Sequence, residues 1–285
     1  MILLTGITGN VGGATAARLT QHGVNFKALV RSPEKLNSEV AHHCEVVNGD
    51  LGDADSVAAA LEGVERMLLV TPNNEKQAEL ERSVVDLAAK AGVSQIVKIS
   101  SIEAGPDAVA PVAKLHYEGE QYMREHIAHP VFLRPTFYMQ TLFTIAQPIK
   151  SVGMLPMPLG DTSISMIDVR DLGIAAANML VDLEMQRGKF PVTGSKPMAL
   201  TEIAATMSSV LGRDIKYVDM PDEDYRAHLD KILGSPWHVN AICTLFQEIK
   251  AGALNHDFPN IADVSGIEAI EFEQFVQDHT HVFNP

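Results

Sequence analysis

Short apolar runs alternate with longer amphipathic stretches through the first half of the chain. The short runs predict β-strands over residues 2–4, 25–30, 45–47, 66–70, 95–99 and 131–133. The longer stretches have apolar residues three or four positions apart and predict helices over 11–21, 54–61, 77–91 and 112–126. In the third of these helices, the predicted sheet-facing stripe is Leu80, Val84, Leu87, Ala88 and Ala91. Because strands alternate with helices, we expect an α/β protein with a Rossmann-type, doubly wound parallel sheet.

The pattern changes after the sixth predicted strand, where prolines and glycines interrupt the chain. Further elements are predicted at 169–182, 189–192, 200–211 and 215–218. We therefore expect a Rossmann domain over residues 1–150, with returning elements around 163–194, and a smaller, mostly helical lobe over 195–285. Open α/β sheets bind ligands beyond the carboxyl ends of their strands, and the lobe is therefore the predicted source of substrate contacts.

Charge and cysteine content narrow the class of protein. The 285 residues carry a formal net charge of −14, and residues 219–285 contribute 12 acidic and 3 basic side chains, or −9. This disfavours nucleic acid as a partner, because phosphates attract basic surfaces. Cys44 and Cys243 lie far apart in the sequence, which disfavours a disulfide framework and is typical of a reducing compartment. The adjacent His42 and His43 point in different directions, and so no metal is expected.

The chain begins without a secretory signal, and its apolar runs are too short to cross a bilayer. We therefore expect a cytoplasmic protein that has no membrane contact and is a monomer or a homodimer.

A glycine-rich turn follows the first predicted strand and leads directly into a helix. Gly6 permits a tight turn, Gly9 lets the backbone approach a pyrophosphate, and Gly12 lets the helix pack closely on the strand. The helix N-terminus offers unpaired N–H groups and the positive end of its dipole to phosphates. The turn therefore predicts a dinucleotide site formed by Gly6, Thr8, Gly9, Asn10, Val11 and Gly12.

The residue after the second strand indicates which nicotinamide cofactor is bound. An NAD enzyme places an acidic residue there to bind the ribose 2′-hydroxyl, whereas this chain has Arg31. A guanidinium suits the 2′-phosphate of NADPH, and Lys35 adds a second cation; otherwise Arg31 is a solvated strand-end residue. Asp50, followed by Leu51, ends the third strand and either accepts from the adenine amino group or caps the next helix.

Several motifs occur in order along the chain. They are residues 5–12, Val30-Arg31-Ser32-Pro33-Glu34-Lys35, Gly49-Asp50, Leu133-Arg134-Pro135 and Ile167-Asp168-Val169-Arg170-Asp171. Together they resemble the NmrA-like branch of the atypical short-chain dehydrogenase/reductases. That branch includes NADPH-dependent quinone, azo-dye and triphenylmethane-dye reductases, and also redox-sensing regulators without evident catalysis. The resemblance implies an extended Rossmann fold with a variable C-terminal substrate lobe.

The resemblance also implies cofactor contacts where the fourth and fifth strands end. The residues expected to flank the nicotinamide end of the cofactor are Val70, Thr71, Pro72, Asn73, Ser100 and Ser101. The alternative for the two serines is that they cap the next segment.

The predicted helix over 112–126 departs from the pattern of short-chain dehydrogenases, which carry a Tyr-x-x-x-Lys pair there. Aligning on Glu120 puts His116 at the lysine position and Val112 at the tyrosine position, and the frame that starts at Tyr117 lacks the lysine as well. Without this proton-carrying pair, the expected acceptors are already electrophilic, such as quinones, azo bonds and arylmethane dyes. His116 titrates near neutral pH by its residue type, and it either protonates the product, holds the nicotinamide ribose or packs on the helix surface.

An aromatic and thioether cluster follows the sixth strand, and it either stacks on a flat substrate or belongs to the core. The predicted catalytic residues are His116 and Tyr138, and the predicted substrate pocket contains Ile102, Phe137, Met139, Phe143 and Trp237. Two functions remain open. One is an NADPH-dependent reductase that transfers hydride directly to a small, planar, electron-poor aromatic substrate, and the other is an NADP(H)-binding redox sensor without catalysis.

Overall fold

The computed structural model describes residues 1–254 and 258–285. The strands are β1 (Ile2–Leu4), β2 (Phe26–Val30), β3 (Cys44–Asn48), β4 (Arg66–Leu69), β5 (Gln95–Ile99), β6 (His129–Pro135), β7 (Met154–Met157), β8 (Ser163–Ile164), β9 (Gly188–Val192), β10 (Met198–Ala199) and β11 (Lys216–Asp219). The helices are α1 (Asn10–Gln21), α2 (Ser38–His43), α3 (Ala54–Ala60), α4 (Gln77–Lys90), α5 (Pro111–His126), α6 (Ala146–Val152), α7 (Val169–Val181), α8 (Leu200–Leu211), α9 (Asp222–Leu233), α10 (Pro236–Lys250), α11 (Ile261–Ser265), α12 (Phe272–Asp278) and α13 (Thr280–Phe283).

The chain divides into two units, each made of several segments. The first unit contains Met1–Pro106, Ala113–Pro135 and Val169–Pro191, and the second contains Asp107–Val112, Thr136–Asp168 and Val192–Pro285. The predicted boundaries at residues 150 and 195 are therefore corrected to the end of β6 and to residue 192. The reason is that residues 139–157 contribute apolar side chains to the core of the second unit.

The first unit is built on a seven-stranded sheet in the order β3-β2-β1-β4-β5-β6-β9. Each pair of neighbours from β3 to β6 is parallel, and Ile2 lies opposite both Phe26 and Arg66. Every residue of β1, β4 and β5 is buried, as in a sheet that is covered on both faces. The predicted Rossmann-type fold class is confirmed.

The order of the strands reverses at β1. The chain builds β2 and β3 on one side of β1 and then crosses to β4, β5 and β6 on the other. Such a switch point opens a crevice at the carboxyl ends of the strands, and α1 begins there, directly after β1. One short helix of the first unit, α2, was missed from the sequence. It is capped by the Asn37 side chain, which accepts from the N–H groups of Glu39 and Val40.

The second unit combines short strand pairs with helices. Strands β7 and β11 pair in parallel, and β8 and β10 pair antiparallel. Its core contains the fully buried Phe275 and Phe283, and the half-buried Phe143 stacks on Phe275 with ring centroids 5.6 Å apart. The predicted helix at 200–211 and strand at 215–218 are confirmed as α8 and β11.

Two findings apply to the part of the chain that the structure describes. No helix there is long and apolar enough to cross a membrane. The same residues contain no group of three or more histidine, cysteine, aspartate or glutamate side chains placed to hold a metal ion.

Candidate functional site

The glycine-rich turn joins β1 to α1 in a tightly closed form. Gly6 has a positive φ of 63°, and a Cβ atom there would lie 2.8 Å from Cβ of Val70. The N–H of Gly9 donates to the carbonyl of Gly6 over 2.9 Å. A Cβ atom at Gly12 would overlap that same carbonyl. Glycine is therefore required at residues 6 and 12, and both predicted roles in the turn are consistent with the geometry.

The N-terminus of α1 has the features of a phosphate site. Its N-cap is Gly9, which has no side chain to satisfy the first N–H groups, and its first turn contains no acidic residue. Thr8 and Asn10 are exposed beside it, whereas Val11 is buried. A 12-residue helix that starts without a capping side chain leaves N–H groups and the positive end of its dipole for an anion. The residues present thus fit a cofactor pyrophosphate.

Arg31 and Asp50 lie at the ends of the adjacent strands β2 and β3. The Arg31 side chain is 80% exposed, and its Nε is 3.8 Å from Oδ2 of Asp50, which is a loose ion pair. Exposure leaves the guanidinium able to turn toward a phosphate, and Lys35 is exposed four residues further on. Asp50 does not cap α3, because the α3 cap is Asp53, which accepts from the Ser56 N–H. The helix-capping alternative for Asp50 is therefore wrong.

Some of the predicted cofactor contacts after β4 and β5 already form hydrogen bonds within the protein. The Thr71 hydroxyl donates to Oε1 of Glu81 over 2.7 Å, and the Ser100 hydroxyl donates to Oε1 of Glu120 over 2.7 Å. Ser101 donates to the carboxylate of Glu103. These hydroxyls have partners within the protein. Val70 is half-buried, Leu51 likewise, and Pro72 and Asn73 are exposed at the same edge of the sheet.

His116 is buried within a polar cluster of the first unit, with 6% of its surface exposed. Its Nδ1 atom lies 3.1 Å from Nζ of Lys98 on β5 and 3.0 Å from Nε2 of Gln77 on α4. Lys98 in turn forms an ion pair with Glu81, and both side chains are fully buried. Of the three roles open to His116, packing on the helix surface is excluded by this burial.

The expectation that His116 titrates near neutral pH is wrong. Burial holds the pKa of His116 well below its ordinary value, and the positive charges of Lys98 and Arg134 lower the pKa further. Both effects disfavour the imidazolium form. The side chain is therefore neutral at pH 7 and is not a cationic proton donor, and its contact with the cofactor ribose stays a prediction.

A second buried ion pair lies next to this cluster. Arg134 donates to Glu120 through Nε (2.7 Å) and Nη2 (2.5 Å), a bidentate arrangement. The Ser100 hydroxyl donates to the same Glu120 carboxylate. Hydrogen bonds to Glu120 therefore connect the end of β5 and strand β6 to α5.

Sequence reasoning missed Gln77, Glu81 and Lys98. A signal was present in the sequence, because Lys98 interrupts a strand that is otherwise apolar at its centre, and a buried lysine needs a carboxylate partner. Gln77 and Glu81 are four positions apart on α4 and therefore share one face. These three residues would have been grouped only by placing α4 beside β5.

The predicted substrate wall lies mostly in the second unit. Met139 is 2% exposed and packs in the core, and the Phe143 ring stacks on Phe275. Met139 is therefore a core residue, which was the alternative left open, whereas Phe143 is half-buried against that core and its substrate role stays a prediction. Phe137 and Tyr138 are half-buried, as is Trp237 near the start of α10. The roles of these three residues, and the catalytic role of Tyr138, stay predictions.

Ile102 is the remaining predicted pocket residue, and it lies in the first unit. It is buried, and its N–H donates to the carbonyl of Pro135 over 3.2 Å. Its backbone therefore fixes the chain after β5 against the end of β6.

Three comparisons identify the relatives of this fold. The NAD(P)H azoreductase of Xenophilus azovorans is 30% identical over 284 residues, which cover 99% of each chain. The (4-alkanoyl-5-oxo-2,5-dihydrofuran-3-yl)methyl phosphate reductase of Streptomyces griseus is also 30% identical, with all of each chain covered. The crystal structure of an NADPH-dependent quinone oxidoreductase from Escherichia coli, complexed with NADPH, superposes with a TM-score of 0.87 at 25% identity, covering 100% of both chains.

The model of the NmrA-like family matches residues 1–275. The match covers nearly the whole chain and includes every strand and helix of the first unit. The chain belongs to the NmrA-like family.

Proposed function

We propose that this chain is an NADPH-dependent reductase of small, planar, electron-poor aromatic molecules, such as quinones, azo compounds or arylmethane dyes. The observation that carries the cofactor assignment is the pairing of an uncapped, acid-free α1 N-terminus with the exposed Arg31 after the neighbouring strand. The first accommodates a pyrophosphate, and the second suits a 2′-phosphate. The names of the azoreductase and quinone oxidoreductase relatives support the same cofactor class.

The residues of α5 support the choice of acceptor. NADPH, when bound, supplies a hydride. The chain lacks the tyrosine and lysine with which short-chain dehydrogenases move a proton during ketone reduction, and the one buried imidazole on α5 is neutral. An acceptor that is already electrophilic takes a hydride without a strong acid beside it, and the proton then comes from water.

The protein contributes binding and orientation more than acid–base chemistry. The α1 N-terminus would hold the central pyrophosphate of the cofactor, and Arg31 would hold its 2′-phosphate. Two buried ion pairs join β5 to α4 and β6 to α5 within the same unit. Fixing two reactants in a productive orientation is sufficient for a large acceleration of a hydride transfer.

The test is NADPH oxidation, followed at the nicotinamide absorbance, with a panel of quinones, azo dyes and arylmethane dyes. We expect turnover above the uncatalysed rate with at least one of them, and NADPH used faster than NADH. Tight NADPH binding measured by calorimetry, together with no turnover on any acceptor, would instead support the redox-sensor alternative.

A further inference from the structure

One carboxylate oxygen organises the polar cluster around His116. Oε1 of Glu81 accepts from the Thr71 hydroxyl (2.7 Å), from Nε2 of Gln77 (3.2 Å) and from the ammonium of Lys98. Gln77, Glu81 and Lys98 are all fully buried. Three donors on one oxygen are the arrangement of an ionised carboxylate, which only accepts hydrogen bonds.

This carboxylate determines which way the Gln77 amide points. If the amide were turned over, its carbonyl oxygen would face Oε1 of Glu81, and two acceptors would repel each other. The amide NH₂ must therefore face Glu81, and the same Nε2 atom lies 3.0 Å from Nδ1 of His116. Gln77 is thus a donor to His116.

Lys98 presents a second donor to the same ring nitrogen. Its ammonium lies 3.1 Å from Nδ1 of His116 and has donors but no acceptor. Both neighbours of Nδ1 are donors, and so Nδ1 carries no hydrogen. A neutral imidazole has a single N–H, which must then lie on Nε2.

We propose that the buried Lys98–Glu81 pair, together with Gln77, fixes His116 as the neutral Nε2–H tautomer, so that His116 is a permanent hydrogen-bond donor rather than a proton carrier. Lys98, Glu81 and Gln77 are positioning residues in this proposal, because they act through His116.

The charges around the ring explain why it stays neutral. Lys98 on β5 is balanced by Glu81 on α4, and Arg134 on β6 is balanced by Glu120 on α5. An imidazolium would add a third positive charge to a buried site that has two negative ones. Such an unpaired buried charge is costly, in agreement with the lowered pKa of His116.

The Nε2–H group is suited to one task in the proposed reaction. Among the described residues, none is hydrogen-bonded to Nε2, whereas Nδ1 has two partners. A neutral imidazole N–H polarises an oxygen or nitrogen that gains negative charge, or binds a ribose hydroxyl, without giving up its proton. This use of the donor rests on the proposed reductase function, whereas the tautomer does not.

The tautomer is tested by NMR of the ¹⁵N-labelled, cofactor-free protein. Long-range ¹H–¹⁵N correlations of the imidazole rings are recorded between about pH 5 and about pH 8, and the His116 signals are assigned by their loss in His116→Gln. We expect a neutral Nε2–H ring throughout, with the ¹⁵N shift of Nδ1 displaced in the direction of an accepted hydrogen bond. A ring with the proton on Nδ1, a mixture of tautomers or a titration near pH 6.5 would overturn the proposal.

A double variant tests whether the Lys98–Glu81 ion pair determines the tautomer of His116. Lys98→Met with Glu81→Gln removes both charges together, which avoids leaving either one unpaired. We expect mixed tautomers and a His116 titration midpoint that rises by about one pH unit or more. The matched control is Arg82→Met with Glu118→Gln, which removes an exposed ion pair of 3.2 Å between α4 and α5 and should leave the His116 spectrum unchanged.

The outcomes separate this proposal from the proposed function. A folded double variant that keeps the Nε2–H spectrum of the wild type would show that the pair is not the cause. Should the double variant not fold, the wild-type Nδ1 shift decides, because the shift of a free Nδ1 would contradict donation by Lys98 and Gln77. NADPH oxidation is measured on the same wild-type sample. If that sample shows the Nε2–H tautomer but no turnover, the reductase assignment is contradicted and the tautomer proposal is not.

Discussion

Gly119 on α5 lies directly against the Glu81 carboxylate on α4, so that a methyl group at residue 119 would overlap Oε2. The end of a glutamate side chain normally moves aside for such a contact. Here Oε1 of the same carboxylate is held by Thr71, Gln77 and Lys98. The carboxylate cannot move without breaking these hydrogen bonds, and Gly119 therefore determines how closely the two helices approach.

We expect Gly119→Ala to lower the free energy of unfolding by roughly 1–3 kcal/mol, the usual cost of overpacking a core. The sign is informative, because alanine in place of glycine in a helix interior normally stabilises by about 1 kcal/mol. Urea unfolding followed by circular dichroism gives the value. Lys114→Ala, at an exposed position of the same helix, should change stability by less than about 0.5 kcal/mol. A stabilised Gly119→Ala variant would contradict this account of the contact.

The lowered pKa of His116 makes stability depend on pH. In the folded protein the pKa lies well below the ordinary value of 6.5, and in the unfolded chain it returns to about 6.5. Below that pH, the unfolded chain binds a proton that the folded chain does not. The free energy of unfolding therefore falls as the pH drops from about 6.5 toward the folded pKa, by at most about 1.4 kcal/mol per pH unit.

Substituting His116 should remove this part of the pH dependence. Urea unfolding at about pH 7.5 and about pH 5.5 gives the stability of the wild type and of His116→Gln. We expect the variant to lose less stability than the wild type on acidification. Lys114→Ala should follow the wild type, and parallel curves for wild type and His116→Gln would show that His116 titrates alike in both states.

The geometry of the glycine-rich turn was largely predictable from the sequence, because its determinants are local. Gly6, Gly9 and Gly12 act through backbone geometry within one turn, and Arg31 occupies a fixed place after β2. Such features keep their meaning whatever packs around them. The sheet was also predictable, because the spacing of hydrophobic residues indicates which segments are strands and which are helices. The near-universal right-handed crossover between parallel strands then restricts the topology.

The buried polar cluster was not predictable by the same reasoning. The predicted stripe of α4 included Leu80 and Leu87, whereas the helix buries Gln77 and Glu81 in addition to apolar residues. A glutamine and a glutamate on one face look like a solvated surface in the sequence. They become core residues only because Lys98 on β5 neutralises and hydrogen-bonds Glu81, which in turn accepts from Gln77. The contact between Lys98 and Glu81 joins segments that are distant in the sequence.

Arg31→Glu tests the cofactor preference. Removal of a charge-assisted hydrogen bond to the 2′-phosphate costs roughly 1.5–3 kcal/mol, and so the Kd for NADPH should rise about tenfold or more. The Kd for NADH should rise much less, because it lacks that phosphate. Isothermal titration calorimetry measures both. Lys90→Glu, an exposed substitution at the end of α4 with the same change in net charge, controls for the overall field of the protein. Equal losses of affinity for NADPH and NADH would exclude a role of Arg31 in binding the 2′-phosphate.

Ser100 was predicted from the sequence to contact the cofactor. Its hydrogen bond in the structure instead predicts a role in stability. Its hydroxyl donates to Glu120 over 2.7 Å, and the Glu120 carboxylate also binds Arg134 through two hydrogen bonds. Ser100→Ala removes one donor to a buried carboxylate whose other partner stays in place. We therefore expect a loss of stability of about 0.5–1.5 kcal/mol.

The same substitution should leave cofactor binding nearly unchanged, because the hydroxyl is already engaged within the protein. Thermal unfolding and the Kd for NADPH are measured on Ser100→Ala and on the control Ser83→Ala, which changes an exposed serine of α4. If Ser100→Ala weakens NADPH binding tenfold while its stability equals that of the wild type, then the hydroxyl exchanges Glu120 for the cofactor on binding. The contact between Ser100 and Glu120 would in that case be specific to the cofactor-free protein, and Glu120 would be held by Arg134 alone once the cofactor is bound.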